Sequence, residues 1–175
     1  MKTFEDFIKE YNDKIPNTKI DNKNEKYNEL QELDALKTKV LKYVLYKKRT
    51  EKEVRQKFSS FQDTILLEEV VENLKQNGYI DDENYIKRAV DEHIAIHTLS
   101  LREMRNKLYT KGLNSDMIDS YFTKKQEELK NYEIACAKKI ILKKQMQLEK
   151  QEVEHFLLKK GYLLENIKIA YEETD

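Results

Sequence analysis

A set of apolar residues returns every 49 or 50 positions along this chain, and that period constrains the fold more than any other feature of the sequence. Val54 and Phe58, Met104 and Leu108, and Val153 and Leu157 each stand one helical turn apart, and the three pairs are offset by 50 and then 49 residues. Two of the pairs run into a stop of Lys, Gly and an apolar residue, Lys111-Gly112-Leu113 and Lys160-Gly161-Tyr162. Ile118 and Ile167 follow at the same distance from these stops. A fixed period of this size, with helical spacing inside it, marks an array of helical repeats. Each unit is too thin to bury its own apolar stripe and must stack on its neighbour.

Further stripes flank the middle pairs. Val40, Leu41, Val44 and Leu45 precede the first; Leu67, Val71 and Leu74 follow it and stop at Asn77-Gly78. Ile86, Ala89, Val90 and Ile94 precede the second, and Ile118, Tyr121 and Phe122 follow it. Ile134, Ala137 and Ile141 precede the third, and Ile167, Ala170 and Tyr171 follow it. Thr50 with Glu53 and Ser100 with Glu103 have the spacing of capping boxes, in which the hydroxyl and the carboxylate satisfy each other's backbone N–H groups. Asp81 or Asp82 opens the helix of Ile86, and Asn114 or Ser115 opens the helix of Ile118. With only 3 Gly and 1 Pro in 175 residues, little interrupts these helices. The expectation is an all-α fold: a curved array of three tandem three-helix repeats at 34–81, 82–130 and 131–175, without a sheet. Residues 1–33 are expected to be an N-terminal arm. Phe4, Phe7, Ile8 and Tyr11 have the spacing of one short helix, and the Asn- and Lys-rich stretch 12–28 reads as a linker.

Several function classes fall away. Lys+Arg and Asp+Glu both number 33, so the chain lacks the overall basic excess usual in a dedicated nucleic-acid binder. A single cysteine, Cys136, excludes an internal disulfide and a multi-cysteine zinc site, and its place among Ile134 and Ala137 reads as a packed thiol. No apolar run is long enough for a membrane span, and the acidic start lacks the apolar stretch of a signal peptide, so no membrane partner and a cytoplasmic location are expected. The scattered glycines build no phosphate loop. His93 and His97 have the i, i+4 spacing of helix-borne metal ligands, but Ile94-Ala95-Ile96 stand where a metalloprotease carries its Glu. They read as helix-surface residues, and His155 as a solvated one. Asp81-Asp82-Glu83 is what capping favours at a helix start. No catalytic residue, metal site or cofactor is therefore expected; the chain reads as a binding protein and not an enzyme.

RTEKEVRQKF (49–58) and LEEVVENLKQNGYIDDENYIKRAV (67–90), joined by LREMRNKLYTKGL and EVEHFLLKKGY further on, resemble the RecX family of RecA regulators. Leu74, Gly78, Tyr79, Ile80, Asp81, Asp82 and Tyr85 fit the family pattern, and the resemblance covers about 37–175. The first repeat departs from it, with Gln62-Asp63 in place of a Lys-Gly stop. So does HTLSLR, which has one Arg and no Gly where the family has a Gly-rich basic turn. The resemblance implies a non-enzymatic modulator that lies on the RecA–single-stranded DNA filament. There it would inhibit ATPase, recombinase and strand-exchange activity, and so modulate DNA repair and the SOS response.

The candidate contact residues are basic. They are Lys42, Lys47, Lys48, Arg49 and Arg55 in the first repeat; Lys87, Arg88, Arg102, Arg105, Lys107 and Lys111 in the second; and Lys138, Lys139 and Lys143 in the third, where Lys144 follows. On counting alone they are solvated faces paired with Glu one turn away. With the resemblance they read as one face that meets RecA and DNA, DNA being contacted directly in one variant of this reading. A monomer is expected, because no dimer seam is evident. Two other functions stay open: a helix-turn-helix-like nucleic-acid binder, and a generic helical-repeat scaffold for another protein.

Overall fold

A computed structural model describes residues 23–61 and 63–174. The expected helix of Phe4, Phe7, Ile8 and Tyr11 lies outside the described residues. Nine helices fill the rest: α1 (Lys23–Tyr46), α2 (Glu51–Lys57), α3 (Thr64–Gln76), α4 (Asp82–Ile96), α5 (Leu101–Thr110), α6 (Ser115–Lys124), α7 (Gln126–Lys144), α8 (Lys150–Lys160) and α9 (Leu164–Glu172). Among the described residues there is no strand, as the all-α reading requires. No helix among them is long and apolar enough to cross a membrane.

The chain divides into two units. Among the described residues, the first holds 23–48 and Val54–Ile80. Leu33, Leu36, Val40 and Val44 recur at three- and four-residue steps along α1 and are buried with Val54, with Leu66, Leu67, Val70, Val71 and Leu74 of α3, and with Ile80. Tyr43 and Phe58 add an edge-to-face pair at 5.8 Å. The described residues are helical from Lys23 on, inside the stretch expected to be linker. Lys, Glu, Gln and Leu dominate its first turns and favour helix even where no apolar stripe is present. Leu45, placed on the stripe by the sequence, is 62% exposed, because the stripe starts at Leu33 and its phase leaves position 45 facing water.

The second unit holds Arg49–Glu53 and the chain from Asp81 onward. Helices α4, α5 and α6 enclose Ile86, Val90, Met104, Leu108, Leu113, Ile118 and Phe122, joined by Leu129 of α7. Helices α7, α8 and α9 enclose Ile134, Cys136, Ala137, Ile141, Val153, Leu157, Tyr162, Ile167 and Ala170. Cys136 is thus a packed thiol, with burial the first cause that raises its pKa.

Capping chemistry sets the helix ends. Asp81 caps α4 through the Asn84 N–H at 2.9 Å, and Asn114 caps α6 through the Asp116 N–H at 2.7 Å. Both expected capping boxes form, at Thr50/Glu53 and at Ser100/Glu103. At the Lys-Gly stops the glycines take φ of +80° (Gly112) and +95° (Gly161). There the N–H of the next residue reaches back to the carbonyl of Leu108 at 3.4 Å and of Leu157 at 3.1 Å, closing each helix.

Leu74 and Leu108 are each 1% exposed. Leu74→Ala and Leu108→Ala are each expected to lower stability by about 2–5 kcal/mol in urea unfolding, through lost burial and the cavity left behind. A change within about 0.5 kcal/mol at either position would contradict the packing described.

Candidate functional site

The site grows out of two junctions in which a helix start meets the end of a helix some 60 residues later. Thr50 Oγ1 accepts the Glu53 N–H of its own box and donates to the Lys111 carbonyl at 2.8 Å. Ser100 Oγ does the same with the Glu103 N–H and the Lys160 carbonyl, again at 2.8 Å. A carboxylate from the preceding helix closes each junction. Asp82 accepts the Glu51 N–H at 3.0 Å, and Glu133 accepts the Leu101 N–H at 2.7 Å. Lysines at the helix ends meet the box carboxylates, Lys111 with Glu53 at 2.8 Å and Lys160 with Glu103 at 3.8 Å. Burial alone would raise the Glu53 pKa, but the Lys111 ammonium and the Thr50 N–H overcome it and hold the carboxyl below its usual range. The positive ends of α2 and α5 thus lie against the negative ends of α5 and α8, so dipoles and hydrogen bonds act together.

The second junction is the more deeply built. Glu133 is fully buried, and its other oxygen accepts from the Leu163 N–H at 3.2 Å and from Asn166 Nδ2 at 2.6 Å. One carboxylate therefore ties α7 to the starts of both α5 and α9. The loop before Ser100 is pinned as well. The Tyr132 hydroxyl accepts the Leu99 N–H at 3.0 Å and donates to the His97 carbonyl at 2.8 Å, while the Tyr162 hydroxyl donates to the Thr98 carbonyl at 2.9 Å. Burial pushes both phenols well above the ordinary tyrosine range.

Beside this junction lies a groove of about 460 Å³ lined by Thr98, Lys139, Ile140, Lys143, Lys144, Gln147, Phe156 and Lys160. An adjoining hollow of about 440 Å³ is lined by Arg102, Glu103, Asn106, Phe156, Lys159 and Lys160. Phe156 and Lys160 belong to both. The Lys144 ammonium sits 4.2 Å from the centre of the Phe156 ring, and that of Lys160 lies 5.9 Å away. The first groove is therefore lined by four lysines and one aromatic ring, with no acid in its lining. Such an arrangement attracts anions and offers them several donors at once. Lys107, 49 residues before Phe156, stands near the first junction where the second has that ring. Burial, then Lys107 and His97, lower the His93 pKa.

The sequence-predicted basic residues separate into three groups. Lys139, Lys143 and Arg102 line the groove and the hollow. Others are engaged within the chain. Arg55 pairs with Glu68, Arg105 pairs with Asp119 and lies 4.3 Å over the Phe122 ring, Lys111 pairs with Glu53, and Lys138 pairs with Glu173 at 3.1 Å. Arg102 also donates to the Lys159 carbonyl at 3.0 Å. Lys42, Lys47, Lys48, Lys87, Arg88 and Lys107 are exposed, and Arg49 is half-buried. Phe156, Lys159 and Lys160 were missed by sequence reasoning. The signal available was an aromatic one turn before the Lys160-Gly161 stop, on the flank of the Val153/Leu157 stripe. The rings of His93 and His97 stand 5.6 Å apart, and among the described residues no group of three or more potential metal ligands gathers.

No family model matches the chain. It is 30% identical over 139 residues to regulatory protein RecX of Staphylococcus carnosus, covering 77% of this chain and 52% of that protein. To regulatory protein RecX of Staphylococcus haemolyticus it is 32% identical over 140 residues, with the same coverage. The chain thus spans about half the length of these curated relatives. A crystal structure of regulatory protein RecX superposes with a TM-score of 0.77 at 20% identity, over 96% of this chain and 87% of that one; this likeness bears on the fold.

Glu133→Ala is expected to lower stability by about 3–5 kcal/mol, because it leaves the buried Asn166 amide and the half-buried Leu101 and Leu163 N–H groups without their acceptor. Glu133→Gln, which keeps one carbonyl oxygen, should cost less. Equal unfolding midpoints for Glu133→Ala and the parent chain in guanidinium would contradict the role given to this carboxylate.

Proposed function

The chain belongs to the RecX family, and from that premise we propose that it regulates RecA by binding. Its target is the RecA filament on single-stranded DNA, and its effect is to inhibit ATP hydrolysis, recombinase activity and strand exchange. In the cell this would modulate DNA repair and the SOS response, in the cytoplasm and as a monomer. The observation that carries the reading is the likeness to proteins named regulatory protein RecX over 77% of the chain. The chemistry on the surface agrees with it. Exposed lysines and the Phe156 groove are equipped to hold anionic partners, and no step of bond making is required of them.

Basic groups are spread from Lys42 to Lys143, so many weak contacts would act together on a partner that repeats along its length. Lys47, Lys48, Lys87 and Arg88 are exposed, which suits direct contact. Arg102 and Arg105 are used by the fold, so their reversal would mix a folding effect with a binding effect.

Titrated into RecA on single-stranded DNA with ATP, the protein is expected to slow hydrolysis and strand exchange. Reversing Lys47 and Lys48, or Lys87 and Arg88, to Glu should weaken inhibition and reduce its salt dependence while the helical circular dichroism stays unchanged. Unchanged ATPase, filament length and strand exchange at saturating protein, with the cognate RecA, would refute the proposal.

A further inference from the structure

The Phe156 groove has a border that anion binding alone does not explain. On α7, Lys139 and Lys143 form the rim of the groove. On the far side of that rim, Leu142 is 50% exposed and Met146, in the turn after the helix, is 87% exposed. Residues 139, 142 and 143 follow the spacing of one face of α7, and Met146 stands two residues past its end, so the aliphatic pair borders the basic strip. Two large aliphatic side chains thus stand in water beside the basic strip.

We propose that this face docks an acidic peptide segment of a protein partner, with its carboxylates on Lys139, Lys143, Lys144 and Lys160 and an aliphatic side chain over Leu142 and Met146. The inference rests on the reading that the chain works by binding, and it names the chemistry of the partner at this one site. Two observations favour a peptide over a nucleic-acid strand. The ring face of Phe156 is already covered by the Lys144 ammonium at 4.2 Å, so an unpaired base has no open platform on which to stack. The exposed aliphatic pair would stay in water beneath a sugar-phosphate backbone, whereas a peptide places carboxylates and a Leu or Ile side chain within one turn of each other. An apolar centre bordered by complementary charge is the usual anatomy of a protein docking site.

The test uses the full chain without RecA, so its outcome is independent of the regulator reading. The probes are a fluorescein-labelled peptide rich in Asp and Glu with two Leu one helical turn apart, the same peptide with Ser at both Leu, and a labelled oligothymidylate. All are followed by anisotropy at low and moderate salt. The Leu peptide should bind, and Leu-to-Ser replacement in it should weaken binding about five-fold or more. Lys139→Glu with Lys143→Glu should weaken it about ten-fold or more. Leu142→Ser with Met146→Ser should reduce Leu-peptide binding to the level of the Ser peptide, with the circular dichroism of each variant unchanged. No binding of the Leu peptide at low salt, or equal binding of the Leu and Ser peptides, would overturn the proposal. So would oligothymidylate that binds more tightly than the peptide and is lost in the Lys139→Glu/Lys143→Glu variant, which would assign the groove to nucleic acid.

Discussion

A helix start buried inside a protein needs acceptors for its first N–H groups, and the second unit of this chain is organised around meeting that need at Leu101. Ser100 Oγ, the Glu103 carboxylate and Glu133 converge on the start of α5, and the same hydroxyl satisfies the last turn of α8. Because Glu133 also holds the Leu163 N–H and Asn166, the register of α7 against α5 and α9 is fixed by one side chain. The apolar clusters supply most of the stabilisation and are tolerant of small shifts; the polar junction is directional and selects one arrangement. The groove beside it follows from the same geometry. Bringing the end of α8 to the start of α5 places Lys159 and Lys160 beside Arg102, and α7 adds its own lysines.

Pairing counted along the sequence overstates how firmly the basic residues are committed. Arg55, Arg105 and Lys138 are paired, but their acidic partners Glu68, Asp119 and Glu173 are each at least half exposed. Pairs of that kind are worth about 0–1 kcal/mol, little enough that an anionic partner bringing several charges can take over the cation. Arg102 differs, because its guanidinium is part of the junction as well as of the hollow.

Local signals were legible in the sequence and long-range ones were not. The capping boxes, the Lys-Gly stops and the stripes on α3 to α9 follow from spacing within a few residues, and each forms where it was expected. The choice between Asp81 and Asp82 needed the structure. Asp81 caps its own helix, which leaves Asp82 to accept from Glu51, 31 residues earlier. Nothing local distinguishes a box hydroxyl that ends its work at its own helix from one that also binds a carbonyl 60 residues away. Glu133 reads as one more acid on a charged helix until α5 and α9 are laid against it. Residues 23–28 are helical where a linker is expected, because a polar run of strong helix formers looks like linker when only apolar periodicity is followed. Of the groove, Lys139, Lys143 and Arg102 were selected, but for their charge; Phe156 was passed over because an aromatic beside a stripe reads as packing.

The Glu133–Ser100 junction makes α4 to α9 one cooperative body. Native-state amide hydrogen exchange tests it directly at the two backbone N–H groups that Glu133 holds, those of Leu101 and Leu163. Both are expected to exchange only when the whole unit unfolds, with the same opening free energy as the core amides of Leu108 and Leu157. Exchange at Leu101 or Leu163 through a local opening of much lower free energy, while the core amides stay protected, would contradict it.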